Sequence, residues 1–74
     1  MNLIQVQEEY IRAVNAGYRR WSHRPDGGHA RRIRRGAWRR ATRRLGRLGY
    51  TQWQIPQLIR DAEDIAQLER LSEE

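Results

Sequence analysis

The 74-residue sequence has no cysteine and no lysine, and it has no long apolar run. Without cysteine there is neither a disulfide framework nor a thiolate zinc site, so the small zinc-binding modules are excluded. Without an extended apolar stretch, and with Glu8 and Glu9 in the opening MNLIQVQEEY, the N-terminus reads as neither a signal peptide nor a membrane span, and a cytoplasmic location is expected. The absence of lysine makes all 15 basic residues arginine. A high-GC genome favours arginine codons, but the physical consequence is independent of the cause. Guanidinium forks bind phosphate oxygens bidentately and stack on bases.

What is present is a strong asymmetry of charge. Residues 1–49 hold 13 Arg against Glu8, Glu9 and Asp26, whereas residues 50–74 hold Arg60 and Arg70 against six acids, so a segment of +10 is followed by one of −4. Such a division suits a protein with one anion-binding face and one solvated or inward-paired end. A chain of this length has room for one domain, 1–74, with a thin core that self-association would supplement.

Apolar residues recur at helical spacing throughout, which predicts an all-α, small three-helix domain with helices at about 2–21, 30–48 and 52–71. In the first, Leu3, Val6, Tyr10, Ile11, Val14, Tyr18 and Trp21 share a face, Asn2 serves as N-cap, and Glu8, Arg12, Asn15 and Arg19 take the solvent side. Residues 22–29 read as a turn built on Pro25 and Asp26-Gly27-Gly28. In the second helix Ala30, Ile33, Ala37, Ala41, Leu45 and Leu48 form the buried line with Trp38 beside it, and small residues there admit a close neighbour.

At 100° per residue, Arg32, Arg35, Arg39, Arg40, Arg43 and Arg47 cluster on the opposite arc, and nine arginines with no acid lie between 31 and 47. Alone, such a helix repels itself at each i,i+4 pair, so it calls for an anion along its outer face. Arg34 and Arg44 fall near the apolar line, where they snorkel or pair with acids of the last helix. In that last helix the expected buried face is Ile55, Leu58, Ile59, Ala62, Ile65 and Ala66. Pro56 either kinks it or marks a start at Ile55. Trp53 projects opposite this face, and Leu68 and Leu71 also fall off it, which makes the three candidates for contact with a partner or a dimer mate. The alternative for Trp53 is that it folds back on Leu48 or Tyr50.

The tetrad Leu48-Gly49-Tyr50-Thr51 predicts a helix stop with Gly49 in the left-handed region, followed at once by a start capped by Thr51. With Ile55 and Leu58 four and seven residues past the cap, the segment 45–59 resembles the helix-turn-helix of DNA-binding regulators. It departs from that pattern at Leu45, where the family prefers a small residue, and at Pro56, which is unusual inside a recognition helix. A plain three-helix bundle using the same capping chemistry is the competing architecture. The resemblance implies that Gln52, Trp53, Gln54, Gln57 and Arg60 face the major groove, with Gln52, Gln54, Gln57 and Arg60 the base-contact candidates, while the second-helix arginines track the backbone.

No catalytic constellation is legible. His23 and His29 share one loop without ligands at metal spacing, no nucleophile has a local base, and no cofactor motif is present. The expected protein is therefore a non-enzymatic, metal-free nucleic-acid binder that prefers DNA to RNA. It reads as a small regulatory or accessory factor of bacterial, plasmid or phage origin, associated with the nucleoid if it binds DNA. Two alternatives are an RNA or ribonucleoprotein binder and an inhibitor or adaptor that docks on an acidic protein surface. A membrane partner is not expected, because the apolar stripe of the second helix is mostly alanine.

Overall fold

The computed structural model describes residues 1–21 and 28–73, with the Trp21 side chain outside the description. The turn expected at 22–27, including His23, and the expected burial of Trp21 thus lie outside the described residues. Three helices make up the fold: α1 (Leu3–Trp21), α2 (Gly28–Arg47) and α3 (Ile55–Ser72). Gly28 and His29, expected in the turn, belong instead to the first turn of α2.

The ends of the helices follow from local hydrogen bonding. At the start of α1, the Gln5 amide donates to Asn2 Oδ1 and the Asn2 amide to Gln5 Oε1, both at 2.9 Å. This reciprocal capping box satisfies orphan donors of the first turn. α2 stops in a Schellman turn, in which Tyr50 N–H donates to the Leu45 carbonyl and Gly49 N–H to the Gly46 carbonyl, both at 3.1 Å. The turn requires positive φ, and Gly49 supplies it at 101°.

Thr51 and Gln54 form a second reciprocal box, the Thr51 amide donating to Gln54 Oε1 at 3.0 Å and the Gln54 amide to Thr51 Oγ1 at 3.2 Å. Thr51 thus caps the turn at 52–54 that leads into α3, whereas the N-cap of α3 itself is Gln54, without a side-chain cap bond, and regular helix begins at Ile55 rather than at 52. The Ile55 amide reaches the Thr51 carbonyl at 3.0 Å. The next residue, Pro56, has no N–H with which to continue the ladder, so the proline sits in the first turn of α3, where the loss is smallest.

α1 and α3 run parallel, with α2 antiparallel to both. Gln7 Nε2 donates to the Leu58 carbonyl at 3.0 Å and Asn15 Nδ2 to Glu69 Oε2 at 3.2 Å, so positions rise together along α1 and α3. Arg19 pairs with Glu73 at 2.5 Å at the far end. Glu9 pairs with Arg44, and Gly17 faces Ile33, which is the opposite sense for α2. α1 and α2 approach closely: a Cβ on Gly17 would lie 3.0 Å from Ile33 Cγ2. Ala37 and Ala41 keep the facing line of α2 small.

One core forms from Val6, Tyr10, Ile11 and Val14 of α1, Ala37, Ala41 and Leu45 of α2, and Ile55, Ile59, Ala62 and Ala66 of α3. Three expectations about burial are corrected. Asn15, assigned to the solvent side, is buried, because α3 packs on that flank and supplies Glu69 and, at 2.8 Å, Arg70 as partners. Ile65 is 45% exposed, because it stands beside the Ile55, Ile59, Ala62 and Ala66 row and not on it. Leu48 is 42% exposed, because it follows the last residue of α2 and lies in the Schellman turn.

Candidate nucleic-acid interface

The orientation of α2 fixes the site. Its inward row places Ala37, Ala41 and Leu45 in the core, and Trp38 packs edge-on against Tyr10, with ring centroids 6.4 Å apart at 75°. That row held inward, Arg32, Arg35, Arg39, Arg40, Arg43 and Arg47 all emerge exposed on the outer side. At 1.5 Å rise per residue the ridge from Arg32 to Arg47 is about 22 Å long.

Acids flank this ridge without neutralising it. Arg34 Nη1 lies 3.4 Å from Glu63 Oε1 of α3, and Arg44 pairs with Glu9 of α1. The first pair is the one expected with the last helix. The second corrects the expectation, since Arg44 turns toward α1 and reaches its carboxylate. Among the described residues no carboxylate forms an ion pair with any of the six ridge arginines. Arg31 is exposed as well, but it falls on the Trp38 side of α2 and so lies outside the arc legible from the helical projection. Together with Arg34, Arg35 and Trp38 it lines a shallow depression of about 240 Å³. Arg40, Arg43, Arg44 and Arg47 line a second of about 230 Å³ near the other end of the helix.

Beneath the ridge the polar chemistry is structural. Burial, and then the neighbouring Glu63 carboxylate, push the Tyr10 phenol well above its ordinary titration range, so it stays neutral in the folded protein. The Arg70 guanidinium lies over the Tyr18 ring, 4.0 Å from its centroid. At the surface, the hydrogen bond from Arg19 holds the Glu73 carboxyl below its usual value.

The other candidates lie around the start of α3 and along its outer side. Gln52, Gln54, Gln57 and Arg60 are all exposed, but two are engaged within the chain. Gln54 Oε1 accepts the Thr51 amide, and Gln57 Nε2 donates to Asp61 Oδ1 at 2.9 Å. Trp53 does not fold back on Leu48 or Tyr50; it is 82% exposed, and Leu68 and Leu71 are exposed as well. By helical position, Arg60 shares the outer side of α3 with these three apolar residues.

Among the described residues no group of three or more His, Asp or Glu side chains is placed to hold a metal ion, and no helix is long and apolar enough to cross a membrane. The class defined by fold and site is an all-α three-helix protein with a cationic ridge along its middle helix. The chain matches no protein-family model, no curated protein and no solved structure.

Proposed function

We propose that this protein binds duplex DNA through the outer face of α2, as a small accessory or regulatory factor of a bacterial, plasmid or phage genome. The observation that carries the reading is the row of six exposed arginines, Arg32 to Arg47, with no ion-paired carboxylate among the described residues. An exposed, unneutralised row of guanidinium groups is destabilising in isolation and is relieved by a polyanion of matching length. Duplex DNA carries one charge per about 1.7 Å of axis, so the roughly 22 Å ridge spans enough phosphates for each arginine to find its own.

Duplex DNA is preferred over the other polyanions on two grounds. A helix of about 10–12 Å diameter fits the major groove of B-DNA, whereas the major groove of A-form RNA is deep and too narrow. Single strands are gripped by exposed aromatic platforms, and among the described residues the arginine arc holds none, since Trp38 is half-buried at its margin. Phosphate contacts fix affinity and position without reading sequence, so weak dependence on base sequence is expected of this face. No catalytic step is assigned to any side chain.

The test is a fluorescence-anisotropy titration of a short labelled duplex across a salt series, with folded RNA as competitor. Binding that weakens steeply with salt and is displaced better by duplex DNA than by RNA supports the reading. Binding that ignores salt refutes it.

A further inference from the structure

The outer side of α3 carries a stripe that the fold leaves uncovered. Gln54 has helical dihedrals, φ −79° and ψ −37°, so the turn before α3 continues the spiral of the helix. Along that spiral Trp53, Gln57, Arg60, Asp64, Leu68 and Leu71 succeed one another at intervals of three or four residues, on the side opposite Ile55, Ile59, Ala62 and Ala66. The stripe is apolar at both ends, with Trp53 82%, Leu68 66% and Leu71 58% exposed, and charged in the middle. Arg60 and Asp64 are exposed, and among the described residues neither forms an ion pair, although they stand four apart on one helix. The order Arg before Asp is the less favourable one for an i,i+4 pair.

This pattern is complementary to itself in one orientation. If two copies of α3 lie antiparallel through their outer sides, with the twofold axis crossing the helix at the level of residue 62, Trp53 of each meets Leu71 of the other and Arg60 of each meets Asp64 of the other. A parallel pairing would instead set Arg60 against Arg60 and Asp64 against Asp64. We propose that a second copy of this chain docks on this stripe, giving an antiparallel α3–α3 homodimer in which the exposed indole is the anchor and the two Arg60–Asp64 pairs set the register. A twofold-symmetric interface must be self-complementary in this way. The proposal does not rest on the nucleic-acid reading. It assigns Arg60 to self-association rather than to a base.

The contact is small. The exposed Trp53, Leu68 and Leu71 offer on the order of 400 Å² per copy, at the low end for specific interfaces, so dissociation at about 10–100 µM is expected. Buried aromatic anchors contribute disproportionately to such interfaces, and with Trp53 at each end of this one Trp53→Ala should weaken the dimer by about tenfold or more.

Sedimentation equilibrium of the full chain, without nucleic acid and at concentrations up to about 1 mM, tests this. All the changes are at exposed positions, and circular dichroism verifies that each variant keeps its helices. The expected result is a monomer–dimer equilibrium that Trp53→Ala weakens. Arg60→Asp and Asp64→Arg should each weaken it about tenfold, and the double variant Arg60→Asp/Asp64→Arg should recover it. Weakening by each single exchange followed by recovery in the double variant is peculiar to the antiparallel register, because in a parallel dimer like charges face each other in the parent, in both single variants and in the double variant alike. A chain that remains monomeric throughout overturns the proposal, as does a dimer indifferent to Trp53→Ala or one that the double charge exchange fails to restore.

Discussion

Replacing Arg39 and Arg43 together by glutamine should halve neither the fold nor the helix, yet it should flatten the salt dependence of DNA binding by a calculable amount. Each phosphate neutralised by the protein contributes about −0.9 to the slope of log affinity against log salt, so six ridge arginines give a slope of about −5.4. Over the fourfold change from about 50 to about 200 mM salt, that slope corresponds to a loss of affinity of roughly 2,000-fold. With two contacts removed the slope falls to about −3.6 and the loss over the same range to roughly 150-fold.

The substitution is mild for the protein itself. Both side chains are exposed and neither is ion-paired among the described residues, glutamine is nearly as good a helix former as arginine, and three repulsive i,i+4 pairs, 35/39, 39/43 and 43/47, disappear. Loss of binding therefore cannot be attributed to unfolding, provided the thermal midpoint is unchanged or higher. Arg34→Gln is the matched control. Its guanidinium is already turned to Glu63 at 3.4 Å, so its removal should move the slope by less than about half a unit. Anisotropy of a labelled duplex in a salt series reads all three slopes. A parent slope shallower than about −2, or equal slopes for the parent and the double variant, would refute the assignment of the ridge to phosphates.

Other outcomes concern the scaffold that holds the ridge. Leu45 is completely buried between the helices, and Leu45→Ala should cost about 2–5 kcal/mol in a denaturant titration; a change below about 1 kcal/mol would mean that the side chain is not enclosed. Gly49 has φ 101° with no atom within 4 Å of an added Cβ, so Gly49→Ala pays backbone strain alone, about 1–2 kcal/mol, and should lower the thermal midpoint by several degrees. The Tyr10 phenol is raised in the folded state above its ordinary value of 10.0, so above that pH the unfolded chain loses a proton that the folded protein retains. Stability carried by Tyr10 should accordingly hold below pH 10.0 and decline above it, and Tyr10→Phe should remove that component of the alkaline loss.

Most of this architecture is legible in the sequence because it rests on local rules. The 3.6-residue recurrence of Val6, Tyr10 and Val14, and of Ala37, Ala41 and Leu45, names the buried faces. The Gly49 turn and the two reciprocal caps are written in residue type. What escapes periodicity depends on where a third helix comes to rest. Asn15 reads as solvent-facing until α3 brings Glu69 and Arg70 beside it. Ile65 reads as core until the edge of that same packing leaves it uncovered. Arg44 finds Glu9, 35 positions earlier in the chain, a partner that no local spacing announces. The six ridge arginines were legible for the opposite reason: an exposed charge needs only to be far from the core row, and α2 has a single such row.

That last point also explains why α2 sits in one rotation. Along the helix, the row Ile33, Ala37, Ala41 and Leu45 is the only i,i+4 series without a polar or charged member. Turning α2 one way would bring Arg40 and Arg44 into the core, and turning it to the far side would bring Arg39, Arg43 and Arg47. Burying even one guanidinium without a partner costs several kcal/mol, a large fraction of what a domain of this size has in hand. Glu9 from α1 and Glu63 from α3 then secure the two flanks, holding Arg44 on one side and Arg34 on the other. The arginines are thus part of what specifies the fold: their exclusion from the core selects the rotation, and that rotation aligns them as a ridge.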